Sequence, residues 1–223
     1  IIKDLEEKEV LIASKQITHP VNVHERCSTE IEFMNTSQWF INVLDHKQEL
    51  LEAADEIQWH PQHMKARYTH WVENLGWDWC ISRQRHFGIP FPIWYAKDGS
   101  IILPNDDELP IDPTKNKPKD HEGEELTPDQ DVMDTWATSS ITPQIALGWH
   151  KDEEKFKERF PMNVRPQGHD IIRTWTFYTI TRGLYHEKTI PWKNIMVSGF
   201  VLDPRGNKMS KSKGNAIAPQ DIL

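Results

Sequence analysis

Residues 44–57, LDHKQELLEAADEI, place Leu44, Leu51, Ala54 and Ile57 near one face and charges on the other, a pattern that predicts a helix. A second helix is predicted over about 61–75, with Pro61 suited to its first turn. Further along, MNVRPQ (162–167) reads as a short strand broken by Gly168-His169-Asp170. DIIRTWTFYTITRGLY (170–185) reads as a helix with Ile171, Trp175 and Tyr178 along one stripe. Its β-branched content favours a strand, but sixteen residues is long for one. NIMVSGFVL (194–202) reads as a strand closed by the turn Asp203-Pro204-Arg205-Gly206.

Strand, helix and strand of these lengths make a parallel crossover unit, so the fold class is α/β. In such sheets ligands bind outside the carboxyl ends of the strands. Here those ends are Gly168-His169-Asp170 and the loop after residue 200. Residues 1–40 read as small-module material with short apolar alternations such as VLIASKQI and TEIEF. Residues 104–130 carry five prolines and many acids and read as an irregular surface excursion.

Composition narrows the classes. The chain has 223 residues, 37% hydrophobic and 27% charged, which suits a soluble globular protein with a real core. Its apolar runs are too short for a membrane span, and the opening IIKDLEEKEV is unlike a secretory leader. Two cysteines, Cys27 and Cys80, fit a reducing compartment and hence a cytoplasmic location. The start without Met and the end at QDIL, just past a lysine-rich loop, are expected of a fragment.

The net charge of −8 is uneven: residues 161–223 carry +5 and the rest −13. That positive third contains SGFVLDPRGNKMSKSKGN (198–215), where Lys208, Lys211 and Lys213 crowd a loop flanked by Gly206 and Gly214. Mobile ammonium groups beside backbone N–H donors suit a polyphosphate, and can neutralise charge that grows on phosphate oxygens during transfer. A solvated basic turn is the plainer reading of two lysines three apart. The intact five-residue string at a strand's carboxyl end favours the chemistry.

KMSKS at 208–212 resembles the second signature of class I aminoacyl-tRNA synthetases. DWCISRQ (78–84) with HFGIPFPIWY resembles the stretch shared by the valyl and isoleucyl branches. DVMDTWATSS (131–140) and RPQGHDIIRTW (165–175) are similar to the valyl branch, of archaeal type, and WFINV with the following helix (39–57) matches its approach to that stretch.

The resemblance implies the C-terminal half of a Rossmann-type catalytic domain with small α+β connecting modules. Residues 1–60 would be a connecting module following the editing insertion. Residues 61–223 would be the partial catalytic domain, with an irregular insertion at about 96–130. It implies ATP-dependent activation of valine to valyl-adenylate and transfer to tRNA(Val), with Mg²⁺ accompanying ATP.

By the same resemblance, Lys208 and Lys211 would stabilise the pyrophosphate-releasing transition state, and Met209 and Ser210 of the same loop would bind ATP. Gly168 would admit the ribose and Asp170 accept its hydroxyl proton. Gly199, Phe200 and Val201 would lie against adenine. Trp136, Ile171 and Trp175 would form the valine slot, although ordinary core packing is the plainer reading of such a triplet. The first signature, of H-I-G-H type, has no match here, so the first Rossmann half, most of the editing insertion and the anticodon domain are expected outside this chain, and the isolated piece is expected to be weak or inactive. His24-x-x-Cys27 stands where relatives often carry C-x-x-C, and no zinc is expected. An isoleucyl-type fragment and a non-catalytic RNA-binding module are the alternatives.

Overall fold

The computed structural model describes residues 1–24, 27–218 and 220. The chain divides into two compact units, Ile1–Ser37 and Gln38–Leu223. The first holds helix α1 (Ile2–Glu7) and a single antiparallel bridge between Val23 and Glu30. None of its described residues is buried, as expected of a segment too short to build a core. No strand forms over the alternations VLIASKQI and TEIEF.

The second unit opens with β1 (Phe40–Ile41), α2 (Lys47–Glu56), β2 (Gln58–His60) and α3 (Lys65–Glu73), the last entered through a 3₁₀ turn, Gln62–Met64. Short strands follow: β3 (Trp79–Cys80), β4 (Ser82–Arg83), β5 (Trp94–Tyr95), β6 (Ile101–Ile102), β7 (Thr127–Pro128) and β8 (Val132–Met133). Helices α4 (Thr135–Ser139), α5 (Thr142–Leu147) and α6 (Glu153–Arg159) lead to β9 (Met162–Gly168), α7 (Phe177–Glu187) and β10 (Trp192–Ser198).

The expected crossover is present: β9 and β10 are parallel and joined through α7. A third parallel strand, β2, extends the sheet to the order β2-β10-β9. It ties residues 58–60 into the second unit. Along β10, Trp192, Ile195 and Val197 are buried, while Val164 of β9 and Met196 of β10 are 47% and 54% exposed.

The covered side belongs to one core shared with the helices: Leu50, Ala53 and Ala54 of α2, Tyr68 and Val72 of α3, and Phe177 and Ile180 of α7. The α2 stripe runs through Leu50 rather than Leu51, one position round from the sequence reading, and it continues into Ile57. The helix expected over 170–185 starts as a 3₁₀ turn, His169–Ile171, widens into a π-helical segment, Ile172–Thr176, and becomes regular only as α7. Such widened turns cluster at functional sites. At Gly183 an added Cβ would lie 2.9 Å from the Thr189 carbonyl oxygen, so glycine lets α7 meet the chain leading into β10.

Residues 96–130 are mostly irregular, with 3₁₀ turns at Asp106–Glu108 and Lys119–His121 between the short strands. Among the described residues no helix is long and apolar enough to cross a membrane.

Candidate functional site

The carboxyl ends of β9 and β10 lie side by side, with Ser198 opposite Gly168. Gly168 leads into the 3₁₀ turn that presents Asp170; a Cβ on Gly168 would sit 2.7 Å from Asp170 Oδ1, so a side chain there would displace the carboxylate. His169 Nδ1–H donates to the Ser198 carbonyl oxygen at 3.2 Å, linking the two strand ends. Its ring lies 4.4 Å from that of Phe200.

The lysine loop folds back onto this junction. Lys208 Nζ is 3.1 Å from Asp170 Oδ2 and 3.9 Å from the centre of the Phe200 ring. Leu202 and Lys208 form an antiparallel bridge, and Met209 N–H points at the Val201 carbonyl oxygen at 3.4 Å. Asp203 fixes the base of the loop: Oδ1 accepts from the backbone N–H groups of Arg205 and Asn207 at 2.9 and 2.8 Å. Oδ2 accepts from Asn215 Nδ2 at 2.9 Å, while Asn215 Oδ1 accepts the Ser210 N–H at 2.9 Å.

The Asn215 hydrogen bond, followed by that from the Asn207 N–H, holds the Asp203 carboxyl below the usual carboxylate range. Gly206 and Gly214, at φ +79° and +65°, take the left-handed conformations at the two ends of the loop. Lys211 begins the 3₁₀ turn Lys211–Lys213 and is exposed, as is Val201.

Of the residues expected at the nucleotide, Gly168, Asp170, Gly199, Phe200, Val201, Lys208, Met209 and Ser210 thus belong to one loop-and-strand-end assembly. A depression of about 640 Å³ lies on the loop itself, between Asp203–Arg205 and Asn215–Ile217. All its walls come from one exposed loop, whereas Asp170, Phe200 and Lys208 converge from three segments. The strand-end junction is therefore the better candidate.

Trp136, Ile171 and Trp175 join one apolar cluster: Trp175 is buried within it, and Trp136 and Ile171 pack half-buried against it. The Trp175 ring stacks on Trp192 at 5.4 Å, and the Arg165 guanidinium lies 3.7 Å from its centre.

The segment DWCISRQ supports the start of α4, the helix that carries Trp136. Strands β4 and β8 pair antiparallel, with Ser82 opposite Met133. Asp134 N–H donates to the Ile81 carbonyl oxygen at 2.7 Å, and the Asp134 carbonyl oxygen accepts the Ala137 N–H at the start of α4. Arg83 approaches the buried Asp134 carboxylate at 3.5 Å and donates to the Ser82 carbonyl oxygen at 2.7 Å. The buried Ser82 hydroxyl donates to Gln38 Oε1 at 2.6 Å and accepts the Trp39 N–H at 2.8 Å. Gln84 donates to Asp131 at 2.9 Å.

Sequence reasoning left Ser82, Arg83 and Gln84 without roles. The structure makes them the frame under the helix that carries Trp136. It also missed the Asp203–Asn215 clamp, although both residues flank the lysine string.

Among the described residues no three His, Cys, Asp or Glu side chains gather as a metal-holding group. Cys27 Sγ lies 3.2 Å from His24 Nδ1; Glu25 and Arg26 between them are outside the described residues.

Three comparisons bear on this geometry. The family described as tRNA synthetases class I (I, L, M and V) matches residues 3–223. A "Valine--tRNA ligase" of Rickettsia conorii is 49% identical over all of this chain, and one of Wolbachia pipientis wMel is 50% identical. The chain spans 29% and 27% of their lengths.

Among solved structures, Mycobacterium tuberculosis methionyl-tRNA synthetase in complex with methionyl-adenylate superposes with a TM-score of 0.61 at 20% identity, over 93% of this chain and 34% of that one. The ternary complex of Agrobacterium radiobacter K84 agnB2 LeuRS-tRNA-LeuAMS gives 0.54 at 22% identity, over 70% and 24%. These two likenesses concern the fold alone. With the family match running through nearly every residue, the chain belongs to the class I tRNA synthetases of the I, L, M and V group.

Proposed function

We propose that this chain is the lysine-loop half of the catalytic domain of a valine–tRNA ligase. The observation that carries the reading is the 3.1 Å approach of Lys208 to Asp170, which brings the loop to the strand end where a nucleotide would lie. The names of the curated relatives supply the amino acid.

In the first step a valine carboxylate oxygen attacks the α-phosphorus of ATP. The new O–P bond forms as the bond to the β-phosphate oxygen breaks, and pyrophosphate leaves. Lys208 and Lys211 hold the charge that moves onto the leaving phosphates. Asp170 accepts a ribose hydroxyl, and opening of its ion pair with Lys208 frees that ammonium for phosphate. Gly168 leaves room for the sugar, and the backbone of Gly199, Phe200 and Val201 lies against adenine, with Met209 and Ser210 carrying the loop over the phosphates. Mg²⁺ comes with the triphosphate and shares its charge; the described side chains offer it no cage of their own.

Trp136, Ile171 and Trp175 bound the valine side chain in a small apolar slot. In the second step a ribose hydroxyl of tRNA(Val) attacks the adenylate's carbonyl carbon, and AMP leaves. The half-exposed Val164 and Met196 on the open sheet face suit packing against further domains of the same protein, and the setting is cytoplasmic.

The test is amino-acid-dependent exchange of pyrophosphate into ATP by the full-length protein that carries this chain. Valine should drive exchange far better than isoleucine. Isoleucine preference would reassign the slot, and no exchange with any amino acid would remove the catalytic reading.

A further inference from the structure

Asp203 and Asn215 stand on either side of the lysine string and meet across its base, where Asn215 Nδ2–H donates to Asp203 Oδ2 at 2.9 Å. Each also reaches into the loop. Asp203 Oδ1 gathers the backbone N–H groups of Arg205 and Asn207. Asn215 Oδ1 accepts the Ser210 N–H at 2.9 Å, and Nδ2–H contacts the Lys208 carbonyl oxygen at 3.3 Å. Asn215 thereby holds the backbone on both sides of Met209, between the two lysines.

The main chain adds bonds of its own. Asp203 N–H donates to the Asn207 carbonyl oxygen at 2.8 Å, and Gly214 N–H to that of Lys211 at 3.2 Å. An amide both accepts and donates from one planar end, so asparagine fits position 215, whereas an isosteric aspartate lacks the donor. Outward, the loop's side chains hold the strand ends through the exposed Lys208–Asp170 pair and the Phe200 ring. Exposed pairs of that kind contribute little. The loop is tied more firmly to itself than to the site.

We propose that Asp203 and Asn215 are positioning residues that preset the loop, so that Lys208 and Lys211 move onto the phosphates as one body when the Lys208–Asp170 pair opens. Neither acts on the substrate itself; both act through the backbone that carries the two ammonium groups. Misplacing such a group by about 1 Å can cost about a hundredfold in rate. The inference rests on the proposed function for the reaction, and on the hydrogen bonds alone for the preset loop.

The experiment makes Asn215→Asp, Asp203→Asn and the double variant with the two residues swapped, in the full-length protein that carries this chain. The first sets two carboxylates face to face. The second puts an amide where N–H groups arrive from both sides. The swap restores a donor opposite an acceptor. Each single variant should lower kcat for valine-dependent pyrophosphate exchange about tenfold to a hundredfold, with the KM for valine within about twofold. Each should also speed tryptic cleavage within residues 205–213 about tenfold, as loss of one charge-assisted hydrogen bond does. The swapped pair should bring both readouts back to within about threefold of the unaltered protein. All the substitutions are isosteric, so loss of packing cannot explain such a recovery.

Faster cleavage with kcat unchanged would reduce the pair to a tether and overturn its role in the reaction. Single variants that match the unaltered protein in both readouts, or a swapped pair no better than either, would overturn the preset loop. If the unaltered protein supports no exchange with valine, the catalytic reading falls, while the cleavage rates still decide the loop.

Discussion

Replacing Lys208 by alanine separates holding the fold from stabilising the reaction. Lys208 and Asp170 side chains are 54% and 41% exposed, so their pair contributes at most about 1 kcal/mol to stability. The contact with the Phe200 ring, also near the surface, adds about 0.5–1 kcal/mol. Loss of both costs no more than about 2 kcal/mol, or a fall in Tm of about 4–8 °C if the unit melts like a domain of 150–250 residues.

In the proposed reaction the same ammonium would face charge that appears only as pyrophosphate departs. Removing one such group from a preorganised site costs about 10²–10³ in kcat. The assay is pyrophosphate exchange by the full-length protein over a grid of valine and ATP concentrations, beside a melting curve. Lys208→Ala should lower kcat by that factor, leave the KM for valine within about twofold, and move Tm by only a few degrees. Lys208→Arg should recover part of the rate. A kcat within about threefold of the unaltered protein would reduce Lys208 to a partner of Asp170 and refute the reasoning.

Lys211→Ala should show the same kinetic signature with no change in Tm, because the exposed side chain holds nothing in place. Trp175→Ala should cost about 3–5 kcal/mol in urea melts, since the ring is buried against Trp192. The milder Trp175→Phe should raise exchange with bulkier amino acids relative to valine, and unchanged selectivity would take the residue out of the slot. Arg83→Ala leaves the Asp134 carboxylate buried without its cation and should cost about 1–3 kcal/mol; Arg83→Ala with Asp134→Asn should recover most of it, and a loss undiminished in the double variant would refute the pairing.

His186 is pushed down to about 4, first by desolvation where its ring meets Trp149 and then by Arg182, His150 and Lys188. The unfolded chain therefore binds this proton more readily, so stability should be complete above pH ~6.5 and decline toward pH 4. The residue's overall exposure makes the decline modest, and His186→Asn should flatten it in urea midpoints taken at pH 7 and pH 5.

The crossover at the heart of the fold was legible because a short strand, a helix-length segment and a second strand follow one another, punctuated by Gly168 and the turn at Asp203. Strand β2 was not: Gln58-Trp59-His60 is too short for alternation to register, and it exists because β10 offers it an edge. The widened turn at Ile172–Thr176 has no local signature, since its residues suit a regular helix equally well.

At the site, the glycines, Asp170 and the lysines were visible as motifs, but not their meeting. Lys208 and Asp170 stand 38 positions apart, and only the register of β9 against β10 joins them. The frame of Arg83 and Asp134 was hidden for the same reason, because their partnership depends on β4 lying beside β8.

A crystal structure of the full-length protein with a non-hydrolysable ATP analogue tests the central claim most directly. A ribose hydroxyl should lie about 3 Å from the Asp170 carboxylate, with Lys208 and Lys211 on phosphate oxygens at similar distances. A triphosphate bound away from the ends of β9 and β10, with both ammonium groups out of its reach, would contradict it.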